Sequence, residues 1–141
     1  MNRRWIPTVP TSKAWGGAYA TKWEGFSKAW IREYGLDRGL YKWNPRRIDY
    51  DGPGSGVFGI EDIDDVCGVY VFLANNNYVL YVGMSTRLGS EIASRYKRFE
   101  GYKRKHIHQV VAHKALSADF AKRMETDLLW YYTPPWNTRF D

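Results

Sequence analysis

Two short runs of β-branched and aromatic residues constrain the fold of this chain more than any other feature. The first run covers residues 69–73 (VYVFL) and the second covers 78–82 (YVLYV), and three asparagines at 75–77 separate them. Such runs are typical of strands, and turn-forming residues between them predict a β-hairpin. Because a lone hairpin is barely stable in water, this one must pack against other elements.

Three further elements are predicted after the hairpin. Apolar residues at helical spacing predict a helix over 88–99, and residues 107–111 predict a third strand. A second helix begins after Ser117, a good N-cap, and runs to Tyr132, where two prolines end it. The order β-β-α-β-α predicts an α/β (α+β) core over residues 67–141, with a three-stranded mixed or antiparallel sheet flanked by helices.

The first half of the chain has a different character. Aromatic residues recur every three or four positions from Trp15 to Tyr34, which predicts one face of a helix that Gly35 ends. The glycine-rich residues 52–56 are interpreted as a linker. We therefore predict that residues 1–66 form an aromatic helical and loop extension packed on the core, and that the aromatic face serves packing rather than base stacking.

Composition limits the class of function. The formal net charge is +6 and the sequence pI is about 9.4, a balance that favours nucleic acid as the first partner and a membrane surface as the second. A single cysteine, Cys67, excludes a disulfide framework and a cysteine-rich zinc site. No apolar stretch is long enough to span a membrane and no secretory signal opens the chain, so we expect a cytoplasmic protein with no membrane partner.

Glu125 is the residue whose position most requires a chemical explanation. It shares one side of the predicted second helix with Leu128 and Tyr132. A carboxylate among core-facing residues must be paired or must hold a cation. The residues alone leave two interpretations open, a salt bridge to a residue such as Arg123 or Arg95 and a site for a hard divalent cation.

A cluster of cations lies in and after the first predicted helix. Its members, here called the basic cluster, are Arg95, Lys97, Arg98, Lys103, Arg104 and Lys105. Such a cluster attracts a phosphate backbone without reading base sequence. A solvated helix face and loop is the alternative. His106 and His108 would share a strand face, but no third metal ligand stands at a recognisable spacing.

The hairpin also carries two short motifs at a defined spacing. Residues 68–70 read GVY and residues 81–83 read YVG, with eleven residues from tyrosine to tyrosine. Glu125 follows on a later helix, and Asn137 stands twelve residues beyond it, after two prolines. This order over residues 67–138 resembles the signature of the GIY-YIG nuclease superfamily. The ending Pro-Pro-Trp-Asn is similar to that of phage endonucleases of this family that break down host DNA.

The resemblance implies a metal-dependent endonuclease that hydrolyses phosphodiester bonds in DNA by a one-metal mechanism. It implies Mg²⁺ or Mn²⁺ as the cofactor, held by Glu125, with Tyr70 as the general base for water. Tyr81 would position water or phosphate, and Asn137 would support the site by hydrogen bonds. Double-stranded DNA is the expected partner; a homodimer would suit double-strand cutting, and a monomer would suit nicking.

The catalytic arginine is where this chain departs from the family. Glu91 stands at the usual position, and Arg95 follows one helical turn later in a matching apolar context. We take Arg95 as the catalytic arginine and Arg87 as the alternative. Phe99 replaces a residue that is polar in relatives. The residues expected to contact DNA are Arg87, Lys97, Arg98, Lys103, Arg104 and Lys105.

Other functions are compatible with the same residues. An RNA-cleaving toxin could use the same site, and a catalytically inactive nucleic-acid-binding protein could share the scaffold. The displaced arginine favours the inactive protein, whereas the retained Tyr70, Tyr81, Glu125 and Asn137 favour the enzyme. A structural partner-binding domain would depend on the aromatic helix. A role in phage attack, restriction, repair or homing is left open.

Overall fold

A four-stranded antiparallel sheet forms the centre of the protein. The computed structural model describes residues 20–43, 63–99 and 101–137. The strands are β1 (Leu36–Trp43), β2 (Gly68–Leu73), β3 (Val79–Ser85) and β4 (Gln109–Ala115). Their spatial order is β1-β4-β2-β3, so β2 and β4 are central, and β1 and β3 lie at the edges. Each neighbouring pair is antiparallel.

Helices cover the sheet and complete a mixed α+β fold. They are α1 (Lys28–Glu33), α2 (Leu88–Arg98), α3 (Gly101–Arg104) and α4 (Ala118–Tyr132). A 3-10 turn at Asn75–Asn77 joins β2 to β3. No helix in the described part of the chain is long and apolar enough to cross a membrane.

Strand β2 is buried along its whole length because helices pack on both faces of the sheet. Its Tyr70 and Phe72 belong to a cluster with residues of α2 such as Ile92. Its Val71 belongs to a second cluster with residues of α4 such as Leu128. The two motifs of the hairpin therefore lie in the best-packed part of the fold.

The hairpin has one irregularity beside the candidate site. The pairing register of β2 and β3 shifts between Phe72 and Leu73. Tyr81 lies opposite Phe72, two residues from Tyr70, so regular pairing places it on the same face of the sheet as Tyr70. The shift falls at Leu80, and this residue also packs in the cluster that contains Tyr70.

The predicted hairpin and the helix from Ser117 to Tyr132 are confirmed, and α2 occupies 88–98 of the predicted 88–99. The prediction of three strands is corrected to four. The additional strand, β1, comes from the segment assigned to the extension and pairs with β4. The strand predicted at 107–111 lies instead at 109–115.

The long aromatic helix is also corrected where the structure describes it. Residues 20–27 lie outside any helix, and α1 has six residues. The backbone of this segment forms hydrogen bonds with the edge of β3 instead. The carbonyl oxygen of Thr21 accepts from Val79 N at 2.8 Å. Gly25 has a φ of 91°, which interrupts a helix. The predicted end of the helix at Gly35, φ 66°, is confirmed. Residues 15–19 and the predicted linker lie outside the described residues.

The N-cap of α4 provides a test of this local analysis. The Ser117 Oγ accepts a hydrogen bond from Phe120 N at 3.3 Å. Ser117→Ala should lower the free energy of unfolding by about 1 kcal/mol, because an N-terminal amide of the helix loses its partner. Urea denaturation measures the change. Thr126→Ala, an exposed position on the same helix, is the control and should not destabilise; equal losses in both variants would contradict the capping role.

Candidate active site

The two motifs meet because Tyr70 lies opposite Gly83 in the β2–β3 pairing. A Cβ atom added at Gly83 would lie 2.4 Å from both Cζ and Oη of Tyr70. No pair of non-bonded heavy atoms tolerates that distance, so the phenol ring occupies the space that a side chain would need. The glycine of the second motif therefore has a steric role.

The glycine of the first motif is also in tight contact. A Cβ at Gly68 would lie 2.5 Å from the carbonyl oxygen of His113 on β4 and 2.7 Å from Cδ2 of Leu88 on α2. Gly68 therefore allows β2, β4 and the beginning of α2 to pack closely. This contact fixes α2 relative to the strand that carries Tyr70.

Tyr70 is buried, with 1% of its surface exposed. Its hydroxyl donates a hydrogen bond to Oε2 of Glu91 at 2.9 Å. Burial, with further contributions from Tyr81 and Glu91, raises the pKa of Tyr70 far above its usual value, and the opposing effect of Arg95 is smaller. At neutral pH the phenol is therefore protonated and acts as a donor. The lowered pKa that a phenolate base would need is not what the site produces.

Glu91 forms the centre of an ion-pair group on α2. Its Oε2 lies 3.6 Å from Nη2 of Arg95 and 3.5 Å from Nη2 of Arg98. The three residues are spaced i, i+4 and i+7, so they share one face of the helix. The Glu91 side chain is 26% exposed, which leaves it in contact with solvent.

Arg95 lies against Tyr81, with its Cζ 5.1 Å from the centroid of the ring. The guanidinium is one-third exposed, but its Nε is buried and has no hydrogen-bond partner among the described residues. Burial raises the pKa of Tyr81; Arg95 opposes the rise, whereas Glu91 and Glu125 add to it. Tyr81 thus lies within electrostatic reach of two carboxylates and one arginine.

Glu125 is the second of these carboxylates, and it comes from α4. Its side chain is 15% exposed, and Oε1 lies 3.1 Å from the Nζ of Lys122. The salt-bridge partner is therefore Lys122 rather than the suggested Arg123 or Arg95. Arg123 instead lies over the ring of Tyr34.

The carboxylates of the site are too few to enclose a metal ion alone. Within the described residues, no group of three or more His, Cys, Asp or Glu side chains could hold one. Mg²⁺ keeps several waters and is commonly held by one or two carboxylates together with substrate phosphates. The chemistry of Glu125 fits that mode of binding.

Asn137 contacts the backbone beside Tyr81. Its Oδ1 accepts from Val82 N at 2.9 Å, and its Nδ2 donates to Val82 O at 2.8 Å. The adjacent Trp136 N donates to Leu80 O at 3.0 Å. The end of the chain after α4 therefore pairs with the free edge of β3 and holds the strand that carries Tyr81.

Two of the cations predicted to contact DNA are engaged in packing. Arg104 Nη1 donates to the carbonyl oxygens of Lys97 and Phe99, at 2.9 and 2.6 Å, and so caps the C-terminal end of α2. The Nζ of Lys103 lies 5.9 Å from the ring centroid of Phe99 and 5.3 Å from that of Trp136. Phe99 thus takes part in aromatic packing with Phe72, Tyr81 and Trp136.

The other cations predicted to contact DNA are more accessible. Lys97, Arg98 and Lys105 are exposed. The Arg87 side chain is 73% exposed and lies 3.5 Å from Oδ2 of Asp65. Asp65 in turn accepts from the backbone N and the hydroxyl of Ser90 near the start of α2. Arg87 is therefore positioned at the N-terminus of α2, where it pairs with Asp65 rather than with a tyrosine of the motifs.

Three of the predicted catalytic residues lie together, namely Tyr70, Tyr81 and Arg95. Glu125 acts electrostatically on Tyr81, and Asn137 binds the adjacent backbone. Glu91 had no role predicted from the sequence. It stands at the position where the resemblance places an arginine, one helical turn before Arg95. Its spacing to Arg95 and Arg98 on one helix face was the available signal.

No protein-family model, curated protein or solved structure matches this chain. The likeness to GIY-YIG nucleases therefore depends on the motifs and on the placement of these residues.

The contact between Gly83 and Tyr70 can be tested by a double-mutant cycle. Gly83→Ala should cost about 1–3 kcal/mol of stability, because the added methyl group must displace the ring. Calorimetry or urea denaturation measures the loss. In a Tyr70→Leu background, which removes the ring atoms nearest the glycine, the same change should cost less. Equal costs in both backgrounds would show that the two residues are not coupled.

Proposed function

We propose that this protein is a metal-dependent endonuclease of the GIY-YIG type that hydrolyses phosphodiester bonds in double-stranded DNA. The observation that carries the proposal is the arrangement around β3. Two tyrosines from the hairpin motifs, an arginine from α2 and a carboxylate from α4 act on one another there. These are the residue types that phosphodiester hydrolysis requires, namely donors for the phosphate and an anion for a metal ion.

Arg95 is the residue proposed to bind the scissile phosphate. Its planar guanidinium can make two parallel hydrogen bonds to phosphate oxygens and stabilise the charge that grows in the transition state. Packing on Tyr81 restricts its orientation. The Arg95 side chain is 31% exposed, so part of it is accessible to a phosphate.

Glu125 is the residue proposed to hold Mg²⁺ or Mn²⁺. Its side chain is 15% exposed, and Oε1 pairs with the ammonium group of Lys122 at 3.1 Å. Because the Lys122 side chain is 64% exposed, a dissolved divalent ion can compete for the carboxylate at modest cost. When bound, the ion would polarise a phosphoryl oxygen and neutralise the leaving 3′ oxygen.

The tyrosines are proposed to handle water and its proton. Tyr81 is half-buried and can contact a water or a phosphate, as the resemblance implies. Tyr70, the proposed base, is sealed from solvent and carries its own proton. It therefore needs an acceptor of its own before it can take a proton. Asn137 would keep Tyr81 in place by holding Val82.

The exposed members of the basic cluster support nucleic acid as the substrate. Arg98 follows Arg95 on the same face of α2, and the exposed Lys97 and Lys105 extend the positive charge. Binding through these groups would weaken as salt rises.

An inactive binding protein is the second candidate function, because the carboxylate of Glu91 partly neutralises the charge of Arg95.

Parallel digests separate these functions. Labelled duplex DNA and labelled RNA are incubated with the protein in Mg²⁺ and in EDTA. We expect Mg²⁺-dependent cleavage of the DNA. Cleavage of RNA alone would support the toxin, and salt-sensitive binding without cleavage would support the inactive protein.

The metal-ligand assignment predicts the effect of Glu125→Gln. The amide keeps the shape of the side chain but removes its charge, so cleavage should fall by more than about 100-fold while DNA binding in EDTA persists. A gel assay measures both. Asp119→Asn, an exposed carboxylate on the same helix, is the matched control and should keep full activity. Full activity in Glu125→Gln would remove the assignment.

The choice between two arginines predicts opposite results for their alanine variants. Arg95→Ala should lower the cleavage rate by about 100-fold or more, because the growing phosphate charge loses its donor. Arg87→Ala should keep most of the activity, since Arg87 is exposed and pairs with Asp65. Single-turnover cleavage measures the two rates. An inactive Arg87→Ala beside an active Arg95→Ala would reverse the assignment.

A further inference from the structure

Glu91 is a carboxylate inside the candidate active site to which the family resemblance gives no role. It accepts the hydroxyl of Tyr70 at 2.9 Å and lies between two arginines of its own helix. It also lines an open cleft of about 300 Å³ with hydroxyl-bearing residues that include Ser90 and Ser94. One side of the Glu91 carboxylate thus contacts Tyr70. The cleft gives the carboxylate access to solvent.

We infer that Glu91 is the final acceptor of the proton that the attacking water loses, and that Tyr81 and Tyr70 relay this proton to it. The inference rests on the proposed nuclease function. It makes Glu91 a positioning and proton-accepting residue that acts through the tyrosines rather than by contact with the phosphate.

Burial determines the order of the relay. Tyr70 has 1% of its surface exposed and cannot meet solvent water, whereas Tyr81 is half-buried. The rings of Tyr70 and Tyr81 are neighbours, with centroids 6.2 Å apart, and Tyr70 donates to Glu91 at 2.9 Å. The relay requires the Tyr81 hydroxyl to donate to the oxygen of Tyr70. Each phenol can accept one proton while it releases another, so neither must exist as a free phenolate. The relay therefore removes the difficulty that burial creates for Tyr70 as an isolated base.

The proposed step balances in atoms and charge. The water oxygen forms a bond to phosphorus as the bond from phosphorus to the 3′ oxygen breaks. The proton of the water moves to Tyr81, the Tyr81 proton moves to Tyr70, and the Tyr70 proton moves to Oε2 of Glu91. The 3′ oxygen takes a proton from solvent to become a hydroxyl. Glu91 then releases its proton to water through the cleft.

The charged groups around Glu91 come from several elements. Arg95 and Arg98 face it from α2, Tyr70 from β2, and Tyr81 acts on it from β3. Arg87 lines the same cleft. The proposed role requires that the carboxylate carry no proton when water attacks.

A competing explanation predicts the opposite result. Glu91 could occupy the place of a substrate phosphate between Arg95 and Arg98 and be displaced when DNA binds. In that case its neutralisation would free the two arginines and speed cleavage. The proton-acceptor role requires that neutralisation slow it.

The test is single-turnover DNA cleavage in Mg²⁺ by the full chain and its Glu91→Gln variant. General-base steps contribute about 10²–10⁴-fold, so we expect a loss in that range. Tyr70→Phe should show the same loss, and the double variant should be no slower than either single one.

The variant Glu91→Asp keeps a carboxylate and should recover part of the rate. Thermal unfolding of each variant shows whether it is folded. If Glu91→Gln does not fold, a folded but fully inactive Glu91→Asp overturns the inference. A folded Glu91→Gln variant at or above the wild-type rate also overturns it. If the wild type itself does not cleave DNA, the proposed function fails, and this inference fails with it.

Discussion

The packing of the Tyr70 ring over Gly83 is the contact on which the candidate site depends. The pairing of β2 with β3 brings the two residues opposite each other, and the missing side chain at position 83 leaves room for the phenol. The ring then reaches Glu91, and Arg95 lies against Tyr81 on the same face of the sheet. The spacing of the two motifs can thus be understood as a requirement of strand register and volume.

The two carboxylates of the site have different surroundings, and these suggest different tasks. Glu125 has an exposed lysine as its partner. Glu91 is held between two arginines and a buried phenol. On the proposed account, the first binds the cation and the second receives the proton. On that same account, a carboxylate at the position where GIY-YIG nucleases carry their arginine would change proton handling, and Arg95 would still bind the phosphate.

The elements that could be predicted from the sequence are those whose signals are local. Runs of β-branched and aromatic residues identified the hairpin, helical spacing identified α2, and Ser117 identified the beginning of α4. Strand β1 was missed because an edge strand depends on its partner, here β4, far away in the chain. The contact of Glu91 with Tyr70 was missed because it forms only when α2 packs on β2. Arg104 was assigned to DNA because its contact with the end of α2 has no sequence signature.

The central claim is that residues gathered around β3 hydrolyse DNA with the help of a divalent ion. The most direct measurement is incubation of the purified protein with supercoiled plasmid in Mg²⁺ and, in parallel, in EDTA, followed by agarose electrophoresis. The account predicts nicked, linear or degraded plasmid in Mg²⁺ and intact supercoiled plasmid in EDTA. Supercoiled plasmid that stays intact in Mg²⁺, at protein concentrations that shift its mobility, would contradict the account.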